Sequence, residues 1–166
     1  MGAHAAQIGS DFTGYRGHCY RVLNFCVALS AGSPESVEKI AYAAAFHDIG
    51  IWTHGTFDYL RPSIRVAAAH LRRAGREQWI AEISRMIDEH HKISTFRGDA
   101  ASLVEPFRRA DWIDVSLGLR NFGLPRKLIR EAFQIWPSAG FHRRLIQLSW
   151  QRLKMNPGSP LPMIKL

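Results

Sequence analysis

Five of the eight histidines in this 166-residue chain, His18, His47, His70, His90 and His91, fall at or beside the ends of different predicted helices, as do Asp48 and Asp111. Residues spread over separate helices in this way can converge on one point of a bundle. Imidazole nitrogen and carboxylate oxygen together suit iron, manganese, zinc, cobalt or magnesium. The near absence of thiols argues against a cysteine-rich structural zinc cage. Cys19 and Cys26 lie about two turns, or ~10 Å, apart on one helix, too far for a bridge between them, and read as reduced core residues of a cytosolic protein. Adjacent His47 and Asp48 differ by about 100° around a helix axis. At a helix end that stops at Gly50, both can still reach one ion.

The elements that must position these residues are helical. Apolar spacing near 3.6 recurs along almost the whole chain, and no segment sustains a period of two with β-branched residues. The spacing predicts a first helix around 15–30, ended by Gly32. Ser33 then serves as an N-cap, Pro34 as the first helical residue and Glu35 as an early acid for a second helix running to about His47. Further helices are expected over 63–74, 76–92, 102–118, 125–136 and 141–155. Gly50, Gly55 and Pro62 mark an irregular stretch containing Trp52, His54, Phe57 and Tyr59, whose aromatic rings either wall a substrate pocket or form core beneath a loop. The fold class is all-α, one domain over residues 1–166, with a core over about 15–155. Pro157, Pro160 and Pro162 make 156–166 a loose C-terminal tail.

Composition sets the outer bounds. A hydrophobic share of 46% and a charged share of 22% are those of a globular chain, and this length buries a core without disulfide staples. A net charge of +8 attracts phosphorylated ligands or nucleic acid. No helix combines a basic stripe with a docking motif, so nucleic-acid binding ranks third among the functions considered. No apolar run is long enough to span a membrane and no signal-peptide pattern opens the chain, so the expected location is cytoplasmic, with no membrane partner. Nothing in these features specifies an oligomeric state.

Four segments carry a resemblance: His18-Cys19-Tyr20-Arg21-Val22, Ala45-Phe46-His47-Asp48-Ile49-Gly50, Ile87-Asp88-Glu89-His90-His91 and Arg109-Ala110-Asp111. In order and separation they are similar to the H..RV, A..HDIG, I..HH and AD elements of the HD superfamily, over roughly residues 15 to 120. The resemblance implies an HD-type bundle of about six to seven helices, with His18, His47, Asp48 and Asp111 ligating one metal centre. Members with two metals add two histidines, and His70 and His90 stand at those places. The set thus resembles the binuclear branch, in which Asp48 bridges two divalent transition metals, iron or manganese first, with zinc, cobalt, nickel or magnesium as alternatives. His70, preceded by Ala67-Ala68-Ala69, has a second reading as the satisfied partner of a neighbouring helix. His91 is an outer contact of the centre or a substrate contact. Asp111 is preferred to Asp114 because it alone follows the family's alanine.

The implied activity is hydrolysis of a small, nucleotide-like phosphate ester by a metal-bridging hydroxide, with His47 and Asp48 as the catalytic pair. Many members carry a phosphate-binding lysine three residues after the HD aspartate, where this chain has Ile51. Arg21, His54, His91, Lys92 and Arg109, with Arg97 and Arg108 beside them, are the candidates to grip the phosphate instead. Some binuclear members with a similar ligand set, an inositol oxygenase and a phosphonate-cleaving enzyme among them, use two irons and molecular oxygen to break carbon bonds. They are a minority of the superfamily, which ranks that chemistry second.

Overall fold

Residues 2–30, 32–99, 101–158 and 161–165 are described by the computed structural model. Within them seven helices carry the fold: α1 (Phe12–Ser30), α2 (Pro34–Phe46), α3 (Leu60–Arg73), α4 (Ile80–Glu89), α5 (Val104–Val115), α6 (Arg126–Ile135) and α7 (Phe141–Met155). Single helical turns lie at Ala5–Ile8 and Gly50–Thr53, and no strand occurs among the described residues. The all-α expectation holds, with boundaries moved by a few residues.

Helix α1 is the axis of the bundle. It packs against α5 and α2 on one side and meets α6 and α7 on the other, while α4 closes the ring between α2 and α5. Tyr15, Cys19, Val22, Phe25 and Cys26 are buried at helical spacing along it, and both thiols are free. Ser33 caps α2 as expected, its Oγ accepting the Ser36 N–H at 3.2 Å with Pro34 at the first helical position. The core joins Ile40, Phe46, Ile83, Met86, Ile87, Phe107 and Ile113, and His18, Arg21, His47, Asp48, His90, Asp111 and Asp114 lie buried with it. Buried polar groups in such number are costly unless they are partnered, so their arrangement is the question the fold poses.

The C-terminal tail corrects the expectation of a loose extension. Met163 is buried in a second cluster with Ile51, Tyr59 and Leu60. The Ile93 N–H donates to the Lys165 carbonyl at 2.8 Å, and Lys165 Nζ lies 2.6 Å from Asp88 Oδ2. Prolines exclude a helix there, but they leave an extended segment free to dock. Residues 159, 160 and 166 lie outside the described residues.

Candidate metal centre

Each ligand candidate stands where its helix is fixed by packing. His18 is in the middle of α1 and Asp111 in the middle of α5, two helices in direct contact. His47 is the C-cap of α2, its N–H bonded to the Ala43 carbonyl at 2.9 Å, and Asp48 follows it into the next turn. His90 caps α4. Gly50 lets this corner close, because a Cβ there would stand 2.6 Å from the Tyr59 carbonyl oxygen and 3.0 Å from Ser63 Oγ. The Gly50 N–H donates to that same Ser63 Oγ at 2.9 Å.

The side chains meet in two adjoining groups. His18 Nε2 and His47 Nε2 are 2.8 Å apart. Asp48 Oδ2 lies 3.6 and 3.4 Å from them, and Asp111 Oδ1 lies 3.5 and 3.7 Å from them. On the other side, His90 Nε2 is 3.4 Å from Asp48 Oδ1, and His91 Nδ1 is 3.3 Å from Asp111 Oδ2. Each carboxylate therefore gives one oxygen to each group. The ligand-to-ligand distances resemble the roughly 3.0 to 3.4 Å expected of two donors each about 2.1 Å from one tetrahedral or octahedral ion.

Hydrogen bonding settles which nitrogens face inward. His47 Nδ1 donates to the Ala44 carbonyl at 2.9 Å and His90 Nδ1 to the Ile87 carbonyl at 2.7 Å, so both rings turn Nε2 to the centre. His18 Nδ1 lies 2.6 Å from Asp114 Oδ2, which directs its Nε2 the same way. Asp48 Oδ1, His90 Nε2 and both oxygens of Asp111 are buried with no hydrogen-bond partner. Acceptors facing acceptors in a dry site destabilise one another unless something positive lies between them. The donor set therefore fits a divalent cation.

The charges agree. Burial alone would push the Asp48 and Asp111 carboxyls up, yet the surrounding imidazoles hold both below the usual carboxylate range. Burial opposes a charge on His47, but Asp48 and Asp111 outweigh it and lift its pKa to about 9. For His91, burial and then the neighbouring His90 pull the pKa down to about 3, so its ring is neutral. Its Nε2 lies 2.6 Å from the hydroxyl of Tyr59, a buried phenol. Solvent reaches the cluster from the side of His91, whose side chain is 13% exposed against 4% for Asp48 and none for His18, His47 or Asp111.

The structure brings together His18, His47, Asp48, His90 and Asp111, and with them His91. It does not bring in His70. That residue is half-buried on α3, with its ring 5.0 Å from Phe46 and 5.8 Å from Tyr42, and belongs to none of the groups of metal-ligating atoms among the described residues. In place of the expected six-residue grouping, the structure sets His91 beside His90 and places His70 against Phe46 and Tyr42 of the neighbouring helix α2. Spacing along α3 cannot tell the face toward the centre from the face toward α2.

The phosphate-gripping candidates stand in different surroundings. Arg21 is fully buried, paired with Asp114 through Nε and through Nη2 at 3.0 Å, and its Nη1 donates to the Trp136 carbonyl at 2.6 Å. Arg108 and Arg109 both bind Glu105, each at 2.7 Å. His54 is exposed at the end of the 50–53 turn beside Thr53. Lys92 follows His91, and its carbonyl accepts from Arg108 and Trp112, each at 3.0 Å. Ile51 is buried against Tyr59, Leu60 and Met163, so a lysine there would point into apolar packing. Trp52 and Phe57 line a cavity of about 330 Å³ with Arg144 and Leu148 of α7, whereas Tyr59 stands beside His91.

Asp114 was weighed for the last carboxylate position and set aside, and Phe141 and His142 were not singled out from the sequence. Asp114 is three residues after Asp111, on the same helix face, and that spacing was the available signal. Phe141 and His142 belong to α7, beyond the four family-like segments, and carried none. Among the described residues, no helix is long and apolar enough to cross a membrane.

The model of the HD domain matches residues 15–116, more than half of the chain. No curated protein and no solved structure matches it. With the matched segment spanning every ligand candidate from His18 to Asp111, the chain belongs to the HD domain family, part of a superfamily of metal-dependent phosphohydrolases.

Proposed function

We propose that this protein hydrolyses a small phosphate ester, of nucleotide size or below, at the centre formed by His18, His47, Asp48, His90, His91 and Asp111. The observation that carries this reading is the convergence of the His18, His47 and His90 Nε2 atoms with the Asp48 and Asp111 carboxylates, four of whose buried atoms have no hydrogen-bond partner. One divalent cation would be held by His18, His47, Asp48 and Asp111, and a second by His90, His91 and the remaining oxygens of the same two carboxylates. Manganese or iron suits this mixture of imidazole and carboxylate. Such ions, when bound, supply Lewis acidity toward the phosphoryl oxygens and lower the pKa of the attacking water.

The chain's own groups do the rest. Asp48 and Asp111 stay ionised and concentrate positive charge where the phosphoryl group must come. In the reaction a water oxygen bonds to phosphorus, the ester P–O bond breaks, and the alcohol leaves with a proton. Phe107, packed edge-on at 5.6 Å from His47, and Tyr59 beside His91 keep bulk water away, which strengthens each electrostatic contact. Arg21, Arg108 and Arg109 are engaged elsewhere and leave the phosphate to the centre itself and to the basic groups nearer it. The slight exposure of the cluster, confined to His91 and Asp48, favours a small substrate.

The test is metal analysis of protein purified without chelator, followed by a panel of phosphomonoesters and nucleotides assayed with and without oxygen. The expected result is at least one transition metal per chain and phosphate release that chelation abolishes, Mn(II) or Fe(II) restores and oxygen leaves unchanged. Less than one metal per chain overturns the reading. Oxygen consumption without ester hydrolysis would replace it with the oxygenase chemistry.

A further inference from the structure

We propose that Asp114 is a positioning residue for the metal centre, and that the segment 136–142, outside the matched HD region, holds it and His18 in register. The inference rests on the metal-centre reading above and concerns a part of the chain to which that reading assigns nothing.

Asp114 follows Asp111 by one turn of α5, so the two carboxylates share a face. Asp111 meets the front of His18, at Nε2, and Asp114 meets the back, at Nδ1. A carboxylate that accepts the Nδ1 proton fixes the tautomer, aims the Nε2 lone pair and makes that nitrogen a stronger donor. Asp114 is itself fixed, because Arg21 binds both of its oxygens. Burial would raise the Asp114 carboxyl, but the His18 ring and the Arg21 guanidinium hold it below the ordinary value.

Three anchors come from beyond the matched region. The Trp136 carbonyl accepts Arg21 Nη1 at 2.6 Å, and His142 Nε2 donates to the Asp114 carbonyl at 2.9 Å. The Phe141 ring stacks on the His18 imidazole, with centroids 4.2 Å apart and planes 18° from parallel. Two glycines of α1 allow this approach. A Cβ on Gly17 would stand 2.8 Å from the Pro137 carbonyl oxygen, and one on Gly14 would stand 3.0 Å from that of Ala139. One imidazole ligand is thus held from behind by a carboxylate, a guanidinium and a stacked ring. A free-standing structural ion pair would need neither the contact with Nδ1 nor the ring.

The experiment titrates Co(II) into full-length, chelator-treated protein and records affinity and the visible d–d spectrum for wild type, Asp114→Asn and Phe141→Leu. The asparagine variant keeps the volume and one acceptor oxygen but loses the charge. The leucine variant leaves the Arg21–Asp114 pair intact. Co(II) affinity should fall roughly 10- to 100-fold in Asp114→Asn, with a shifted d–d band, and by a smaller factor in the same direction in Phe141→Leu. Should Asp114→Asn lose its helical circular dichroism, Phe141→Leu decides the matter. Wild-type binding with variant affinities within about twofold and unchanged spectra overturns this inference alone, against that roughly 10-fold expectation. A wild type that binds no Co(II) overturns the metal-centre reading and this inference with it.

Discussion

Gly50→Ala tests whether the corner that presents Asp48 is held by close backbone approach. The added methyl would lie 2.6 Å from the Tyr59 carbonyl oxygen, 2.9 Å from Pro62 Cβ and 3.0 Å from Ser63 Oγ. The first is a backbone atom at the entry to α3 and cannot swing aside. Overpacking of this kind costs about 1 to 3 kcal/mol. The shift would also break the buried bond from the Gly50 N–H to Ser63 Oγ, leaving a donor unsatisfied at about 1 to 3 kcal/mol. Alanine's better helix propensity in the Gly50–Thr53 turn returns about 1 kcal/mol. The net expectation is a loss of about 3 kcal/mol, which at about 2 to 4 °C per kcal/mol lowers Tm by roughly 6 to 12 °C. Urea unfolding followed by circular dichroism measures it as a lower midpoint at unchanged slope. A loss under about 1 kcal/mol would show that the neighbours yield and refute the argument.

Three further outcomes follow from the site. His70→Ala should leave the metal content of the purified protein unchanged, whereas His90→Ala should remove about one equivalent, both read by elemental analysis; a loss in His70→Ala would restore the six-ligand set that included it. In metal-free protein the His47 pKa of about 9 means that a proton occupies the ring below that value. Metal must displace it, so apparent affinity should rise by up to about tenfold per pH unit until about pH 9. The same raised pKa stabilises the metal-free fold fully below His47's unfolded value of 6.5, a contribution lost as pH climbs through about 9; a metal affinity that is flat with pH would contradict both. Ile51→Lys should fail to install a phosphate clamp and should instead destabilise by on the order of 3 kcal/mol, because its ammonium would enter the cluster of Tyr59, Leu60 and Met163. A gain in affinity for inorganic phosphate at unchanged stability would show that the side chain reaches the centre.

The sequence by itself determined the helical class and the approximate span of all seven helices, and it named the four candidate ligands of the first centre, because these depend on local rules. A 3.6-residue apolar period and the Ser33-Pro34 start are readable along the chain, and His18, His47, Asp48 and Asp111 sit in segments that recur as words. The family assignment rests on the same words. Tertiary structure alone decided what depends on which face of a helix meets which neighbour. His70 and His90 both read as second-centre ligands, yet α3 turns His70 onto Phe46 and Tyr42 while the end of α4 turns His90 and His91 inward. Arg21 looked like a substrate contact until Asp114 claimed it from 93 residues away. Phe141 and His142 reach the centre because Gly14 and Gly17 let their segment lie against α1. A few degrees of helix rotation, set by the whole core, separate a ligand from a packing residue, and no periodicity within a single segment encodes that angle.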